Sequence, residues 1–355
     1  MSKTTRKINQ VRNSFYVYLP RSWCDDYNLT KESEVMIERT FDGKLAISPV
    51  LIKSTPSKPL KLTLTKDSSK DIVNLLVGSY IVGTNELELK FTDSLDMETR
   101  EEISSWVDKL EGWGILSEHD NSVFISDLLT SDREVIRKVL QRQFSTAKYM
   151  LERMIASLEL GDMTGYSHVL SRDEQVDRNR YLVERLCHLV LRDPSYARKI
   201  SLPLSDALSF SLAAKHVERV ADHICGAIIE FVKNKAIDSR MKNLASEIAD
   251  LYDKTISVFF SIEKKGKEDA EDFASYSSEH FDALRRATRL ANSLRKLESS
   301  RKKKSSHEIL LALHLGRIAS YCGDIIEIGI NRMILAKLQD EGAPNQFETI
   351  DRLDL

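Results

Sequence analysis

The chain has 355 residues, 42% of them hydrophobic and 30% charged, with 13 glycines and 7 prolines. That length exceeds one ordinary core, and that composition suits a helix-rich folded protein of two or three domains and excludes long disorder. The formal net charge of −2 excludes a polycation, so any nucleic-acid contact must come from a local basic patch.

Residues 1–53 read as β-rich. SFYVYLP alternates Phe15, Val17 and Leu19 against Tyr16 and Tyr18 and ends at Pro20. RSWCDDYN can make a short helix, and EVMIERT and KLAISP flank Phe41-Asp42-Gly43, a hairpin turn signal. The segment SPVLIKSTPSKP holds three prolines and marks a domain boundary. Residues 54–131 then form a linker and a small α+β layer. LKLTLT, ELELKF, GILSEH and SVFISDLL read as strands, with SKDIVNLLVGSYIVG and METREEISSWVDKLEG as helices stopped by Gly83 and Gly112. No phosphate-cradling glycine loop and no nucleophile motif occurs there. From 132 to 340 six long helices are expected, near 132–160, 163–193, 201–235, 238–265, 267–299 and 304–340. They form two repeats, about 132–235 and 238–340, with KHVERVADHICGAIIE of the third helix corresponding to LGRIASYCGDIIEIGI of the sixth. Residues 341–355 are a tail. The fold class is therefore multidomain and mainly α: β-rich N-terminus, α+β connector, tandem three-helix bundles.

Cys24, Cys187, Cys225 and Cys322 make no CxxC and no disulfide framework, which fits a reducing, cytoplasmic setting. MSKTTRKINQ has no apolar signal region. The longest uncharged run, IVNLLVGSYIVGTN, is 14 residues, so no membrane insertion is expected.

Two acid pairs carry chemistry. Glu218 and Asp222 stand four apart in the third helix, at the edge of a stripe running through Phe210, Ala213, Val217, Val220, Ile224, Ile228 and Phe231. Asp173 and Asp177 do the same in the second helix, flanking Val176 on a stripe continued by Val183 and Val190. Four carboxylates in a partly buried seam repel unless they are protonated or bridged by cations such as Fe, Mn, Zn or Mg. A solvated acid face neutralised by Arg219, Lys215 and Arg180 is the competing reading. His216, His223 and His188 are read as ordinary surface or core residues rather than ligands. A di-metal oxidase is disfavoured because the Glu-x-x-His pairs of such bundles are missing, and no other acid–base or nucleophile set suggests an enzyme.

HVERVADHI, with DEQVDRNR about 40 residues upstream and the helix duplication, resembles the PhoU family of phosphate-uptake regulators over roughly 132–340. That resemblance implies tandem three-helix bundles and a multinuclear metal site on Asp173, Asp177, Glu218 and Asp222. The second repeat departs from the pattern: Gly316 and Ser320 replace the third-helix pair, and Ser278 and Asp282 replace the second-helix pair. One metal site at most is therefore expected.

Residues 1–24 contain Lys3, Arg6, Lys7, Arg12 and Arg21 and no acid, a local charge of +5. A basic β-element can contact phosphates. The stretch RKINQVRNSFYVYLPRSWCDDYNLTKESEVMIERTFDGKLAISP resembles the SpoVT/AbrB swapped-hairpin family. It implies a homodimer of interleaved hairpins with Arg6, Lys7, Arg12 and Arg21 facing duplex DNA. Solubilising charges on a dimerisation module are the alternative. So small a β module also buries too little surface alone, which independently favours a dimer. The basic run RKKKSS at 301–306 is read as a solvated loop. Head, connector and tail together resemble archaeal-type PhoU regulators. This implies a DNA-binding regulator of phosphate uptake, or an adaptor acting on the phosphate transporter ATPase or a sensor kinase.

Overall fold

The structure, a computed structural model, describes residues 5–39, 45–49, 59–65, 68–128, 136–161, 165–193, 196–197, 200, 202–233, 237, 239–261, 272–299 and 305–342. The chain divides into two compact units, an N-terminal one and Lys58–Gly342.

The N-terminal unit holds two antiparallel hairpins. Strand β1 (Asn9–Val11) pairs with β2 (Ser14–Tyr16), Asn9 opposite Tyr16. The turn between them places Arg12 at φ 54°, a left-handed conformation uncommon for a non-glycine residue. Helix α1 (Arg21–Asp26) starts after Pro20, and β3 (Val35–Arg39) pairs with β4 (Leu45–Pro49). The Phe41-Asp42-Gly43 turn and Lys3 lie outside the described residues. The expected in/out alternation of SFYVYLP is not seen: the strand ends at Tyr16, and Phe15, Tyr16, Val17 and Tyr18 are all exposed. Alternation needs a core on one side, and no described side chain of this unit is buried.

In Lys58–Gly342, β5 (Leu60–Leu64) leads through a 3-10 turn into α2 (Ile72–Ile81) and back to β6 (Glu86–Phe91) as its parallel neighbour. Helix α3 (Met97–Lys109) begins at Asp96, whose carboxylate accepts the Thr99 amide at 2.8 Å. Strands β7 (Trp113–His119) and β8 (Ser122–Asp127) complete a sheet in the order β5-β6-β8-β7. Gly83 and Gly112 follow the helices at positive φ, as expected of C-terminal stops. At Gly83 a Cβ would also sit 2.8 Å from Leu189, so the glycine admits a close helix approach.

The six long helices are α4 (Ile136–Leu160), α5 (Gly165–Arg192), α6 (Leu204–Lys233), α7 (Ser239–Phe260), α8 (Asp272–Glu298) and α9 (Ser306–Gly342). Helices α4–α6 pack as one three-helix bundle and α7–α9 as another. They join through α6 on α9 and α4 on α7. One apolar core runs through both bundles, from Ile136 to Met333. By length and composition Ser306–Lys337 is apolar enough to cross a bilayer, unlike the 14-residue run that the sequence singled out. Half of its most apolar window is buried inside the bundles.

The α+β layer is stitched to α5 by Arg185. Its buried guanidinium donates to the Tyr80 carbonyl at 2.6 Å and to Asp127 Oδ2 at 2.8 Å, and lies over the Tyr80 ring. Tyr181, also on α5, joins the core of the sheet.

Candidate metal centre

Helices α5 and α6 bring the four predicted carboxylates to one seam. The placement starts on α4, where Gln143 interrupts a largely apolar buried stripe. Fully buried, its Nε2 donates to Val176 O on α5 at 3.3 Å and to Ala214 O on α6 at 2.9 Å. That single side chain fixes both helices next to their acid pairs. Beside it, Arg142 Nε donates to Asn179 Oδ1 at 3.0 Å. Polar residues on a core stripe were the signal for this support, and the carboxylate spacing alone did not reveal it.

The acids sense one another. Burial first, then Asp222, pushes the Asp173 carboxyl above the usual range, opposed by a hydrogen bond with the Cys225 thiol. Burial and then Asp173 raise Asp177 to about 6, opposed by Arg180, with Asp222 and Glu174 adding to the rise. Burial and then Asp222 raise Glu218 to about 7, opposed by Arg180 and Arg219. Each carboxyl resists ionisation because desolvation penalises its charged form and neighbouring negative charge adds to that penalty.

Two arginines compete for the seam, as the solvated-face reading anticipated. Arg180 Nη1 bonds Glu184 at 3.3 Å and its Nε lies 3.8 Å from Glu218 Oε1. Arg219 Nη1 bonds Asp222 Oδ2 at 3.1 Å, and its Nε lies 3.5 Å from Glu218 Oε2. Their neutralisation is incomplete. Glu218 Oε2 is buried without a hydrogen-bond partner, and so is Arg180 Nε. Among the described residues, no three His, Cys, Asp or Glu side chains converge on a point where one ion would be ligated. The donor chemistry nevertheless fits a hard or borderline cation: four oxygen-bearing side chains, three of them held above their normal range, one with an orphaned buried oxygen.

The second bundle lacks this arrangement. A Cβ at Gly316 would lie 3.3 Å from the Leu294 Cβ, Ser320 Oγ donates to the Gly316 carbonyl at 3.0 Å, Ser278 is exposed, and the exposed Asp282 pairs with Arg285. In the N-terminal unit, Arg6, Lys7, Arg12 and Arg21 are exposed, and Arg21 Nε bonds Asp25 Oδ1 at 3.2 Å. That acid lies just beyond the acid-free run and offsets part of its charge. Most of the 301–306 run lies outside the described residues. All four cysteines are free thiols, three of them buried.

A family model described as "PhoU domain" matches residues 128–228. The region from the end of the sheet to α6 therefore resembles a PhoU domain. The PhoU-matched segment includes Asp173, Asp177, Glu218 and Asp222, together with their support Gln143. Among solved structures the chain is similar to the phosphate transport system regulatory protein PhoU from Streptococcus pneumoniae. The identity is 14% over 58% of this chain and 93% of that chain, with a TM-score of 0.40. No curated protein matches.

Proposed function

We propose that this chain is a cytoplasmic regulator of phosphate uptake, in which a cation at the α5–α6 acid seam sets the state of the helical unit and a dimeric N-terminal unit contacts DNA. The observation that carries the reading is the coincidence of the PhoU-matched segment with the seam where Asp173, Asp177, Glu218 and Asp222 are forced together. Asp173, Asp177, Glu218 and Asp222 would hold Fe, Mn, Zn or Mg. The ion would supply the positive charge that relieves their repulsion. Release of the ion would return Glu218 to Arg180 and Arg219, giving the helices two electrostatic states. The phosphate transporter's ATPase or a sensor kinase is a further partner class for such a regulator, reached by protein contact.

The dimer is supported by exposed apolar side chains. Ile8, Phe15, Tyr18, Ile37 and Leu45 of the N-terminal unit are each at least 60% exposed. Burying one large apolar side chain contributes about 1.5–3 kcal/mol, so interleaving with a second copy that buries these side chains would stabilise the unit. Phe15→Asp with Ile37→Asp in the full chain is expected to halve the mass in sedimentation equilibrium. A double variant that keeps the wild-type mass would remove the swapped-hairpin dimer from the account.

The DNA contact is supported by Arg6, Lys7, Arg12 and Arg21, all exposed on or beside the first hairpin and α1. With a mixed-sequence 40-bp duplex as probe, Arg12→Ala with Arg21→Ala should weaken binding by the full chain. The log–log salt slope should become shallower by about 2 if both residues neutralise phosphates. Unchanged affinity and slope in a dimeric variant would leave the N-terminal unit as a dimerisation module, and the adaptor reading would then replace DNA binding.

A further inference from the structure

Helices α6 and α9 meet antiparallel along a seam that steps by seven residues. His216 faces Tyr321 with ring centroids 5.8 Å apart, His223 faces His314 at 5.2 Å, and Glu230 Oε2 bonds His307 Nδ1 at 2.7 Å. The Tyr321 ring also stacks on His223 at 5.7 Å and 22°, so four rings run in one file: His216, Tyr321, His223, His314. The file follows the internal duplication. Aligning Glu218 with Gly316 puts His216 on His314 and His223 on Tyr321, so the two face-to-face contacts are equivalents of one another. In one of them tyrosine opposes histidine. In the other, two imidazoles meet with their Nδ1 atoms 2.9 Å apart. Gly226 makes that approach possible: a Cβ there would lie 2.2–2.7 Å from ring atoms of His314.

We propose that His223 and His314 form a binding site for a borderline transition-metal ion of the Zn, Cu or Ni class, clamping α6 to α9 where the two bundles join. Two nitrogens each about 2.0–2.1 Å from one ion, at 90–110°, lie about 2.9–3.4 Å from each other. The Nδ1 pair already has that separation, on two different helices, and the ion would take the place of the proton the two nitrogens share, that proton moving to an Nε2. Both rings are half-buried, so water can reach the ion and fill its remaining positions. Hard ions such as Mg or Ca take oxygen ligands, whereas imidazole nitrogen bonds Zn, Cu and Ni strongly. The site shares no ligand with the carboxylate seam and does not depend on it. The Tyr321 end offers one imidazole, His216, with Asp324 3.7 Å away, and is the weaker equivalent.

The test uses the full chain with less than one equivalent of Cu²⁺ and reads bound nitrogens by electron paramagnetic resonance. Wild type should show two imidazole nitrogens on one ion. His223→Gln and His314→Gln should each reduce this to at most one and weaken Cu²⁺ affinity by tenfold or more. Asp177→Asn with Glu218→Gln should keep both nitrogens. If glutamine at either histidine does not fold, asparagine at the same position carries the test. A wild-type spectrum with fewer than two imidazoles, or two that persist in either histidine variant, overturns the proposal. The pair is then only a hydrogen bond between neutral rings.

Discussion

Arg185→Ala is expected to destabilise the chain by about 3–5 kcal/mol, the largest effect of any single substitution considered. The guanidinium is 1% exposed and donates to the Tyr80 carbonyl and the Asp127 carboxylate at once, so its removal takes a charged partner from a buried carboxylate and a donor from a buried carbonyl. It also removes the cation from the Tyr80 and Trp113 rings, 4.7 and 6.0 Å away. At about 2–4 °C per kcal/mol for a large domain, the thermal midpoint should fall by about 6–20 °C. Arg185→Met with Asp127→Leu should cost less than Arg185→Ala alone, because no charge is left behind. Denaturant melts of the three proteins check this. A single-variant loss below about 1 kcal/mol would mean that α5 and the sheet are held together by apolar contact and that the ion pair contributes little.

The opposite sign is expected at the acid seam. Asp177→Asn with Glu218→Gln should raise the midpoint of the metal-free full chain by about 2–8 °C at pH 8, corresponding to about 1–2 kcal/mol of relieved repulsion. The pH dependence follows from linkage. Carboxyls raised from 3.8 to about 6 and from 4.5 to about 7 hold protons longer in the folded chain than in the unfolded one. Stability attributable to them is therefore present at low pH and is lost as pH rises from about 4 to about 7. The amides should gain nothing below that window and their full benefit above it. Adding Mn, which favours carboxylate oxygen over imidazole, should raise the wild-type midpoint at pH 8 and leave the amide variant where it was. A variant no more stable than wild type at pH 8 would make Arg180 and Arg219 sufficient partners for the seam.

The helical unit was legible because its signal is periodic. Stripes such as Phe210 to Phe231 and Val176 to Val190 set the helix faces, and prolines and glycines set their ends. The acid pairs were legible for the same reason, since a four-residue step puts both members on one face. What spacing could not show was which arginines would turn inward. Arg185 looks like any charged residue in ERLCHL, and only its burial under the sheet reveals its role. The ring file on α6 and α9 was passed over because His216 and His223 were judged singly. Their partners lie about 100 residues away, and the seven-residue step emerges only when two helices are aligned antiparallel. The N-terminal alternation failed for the opposite reason: Phe15 and Val17 mark a face that no described side chain of the unit buries.

The central claim is that Asp173, Asp177, Glu218 and Asp222 hold a cation, and metal content tests it most directly. Full-length wild type and the Asp177→Asn, Glu218→Gln variant, each purified anaerobically from the same cells, are compared by inductively coupled plasma mass spectrometry. The account predicts at least one equivalent of Fe, Mn, Zn or Mg per wild-type chain that the amide variant loses. Equal metal content in the two proteins, whether near zero or not, would contradict it.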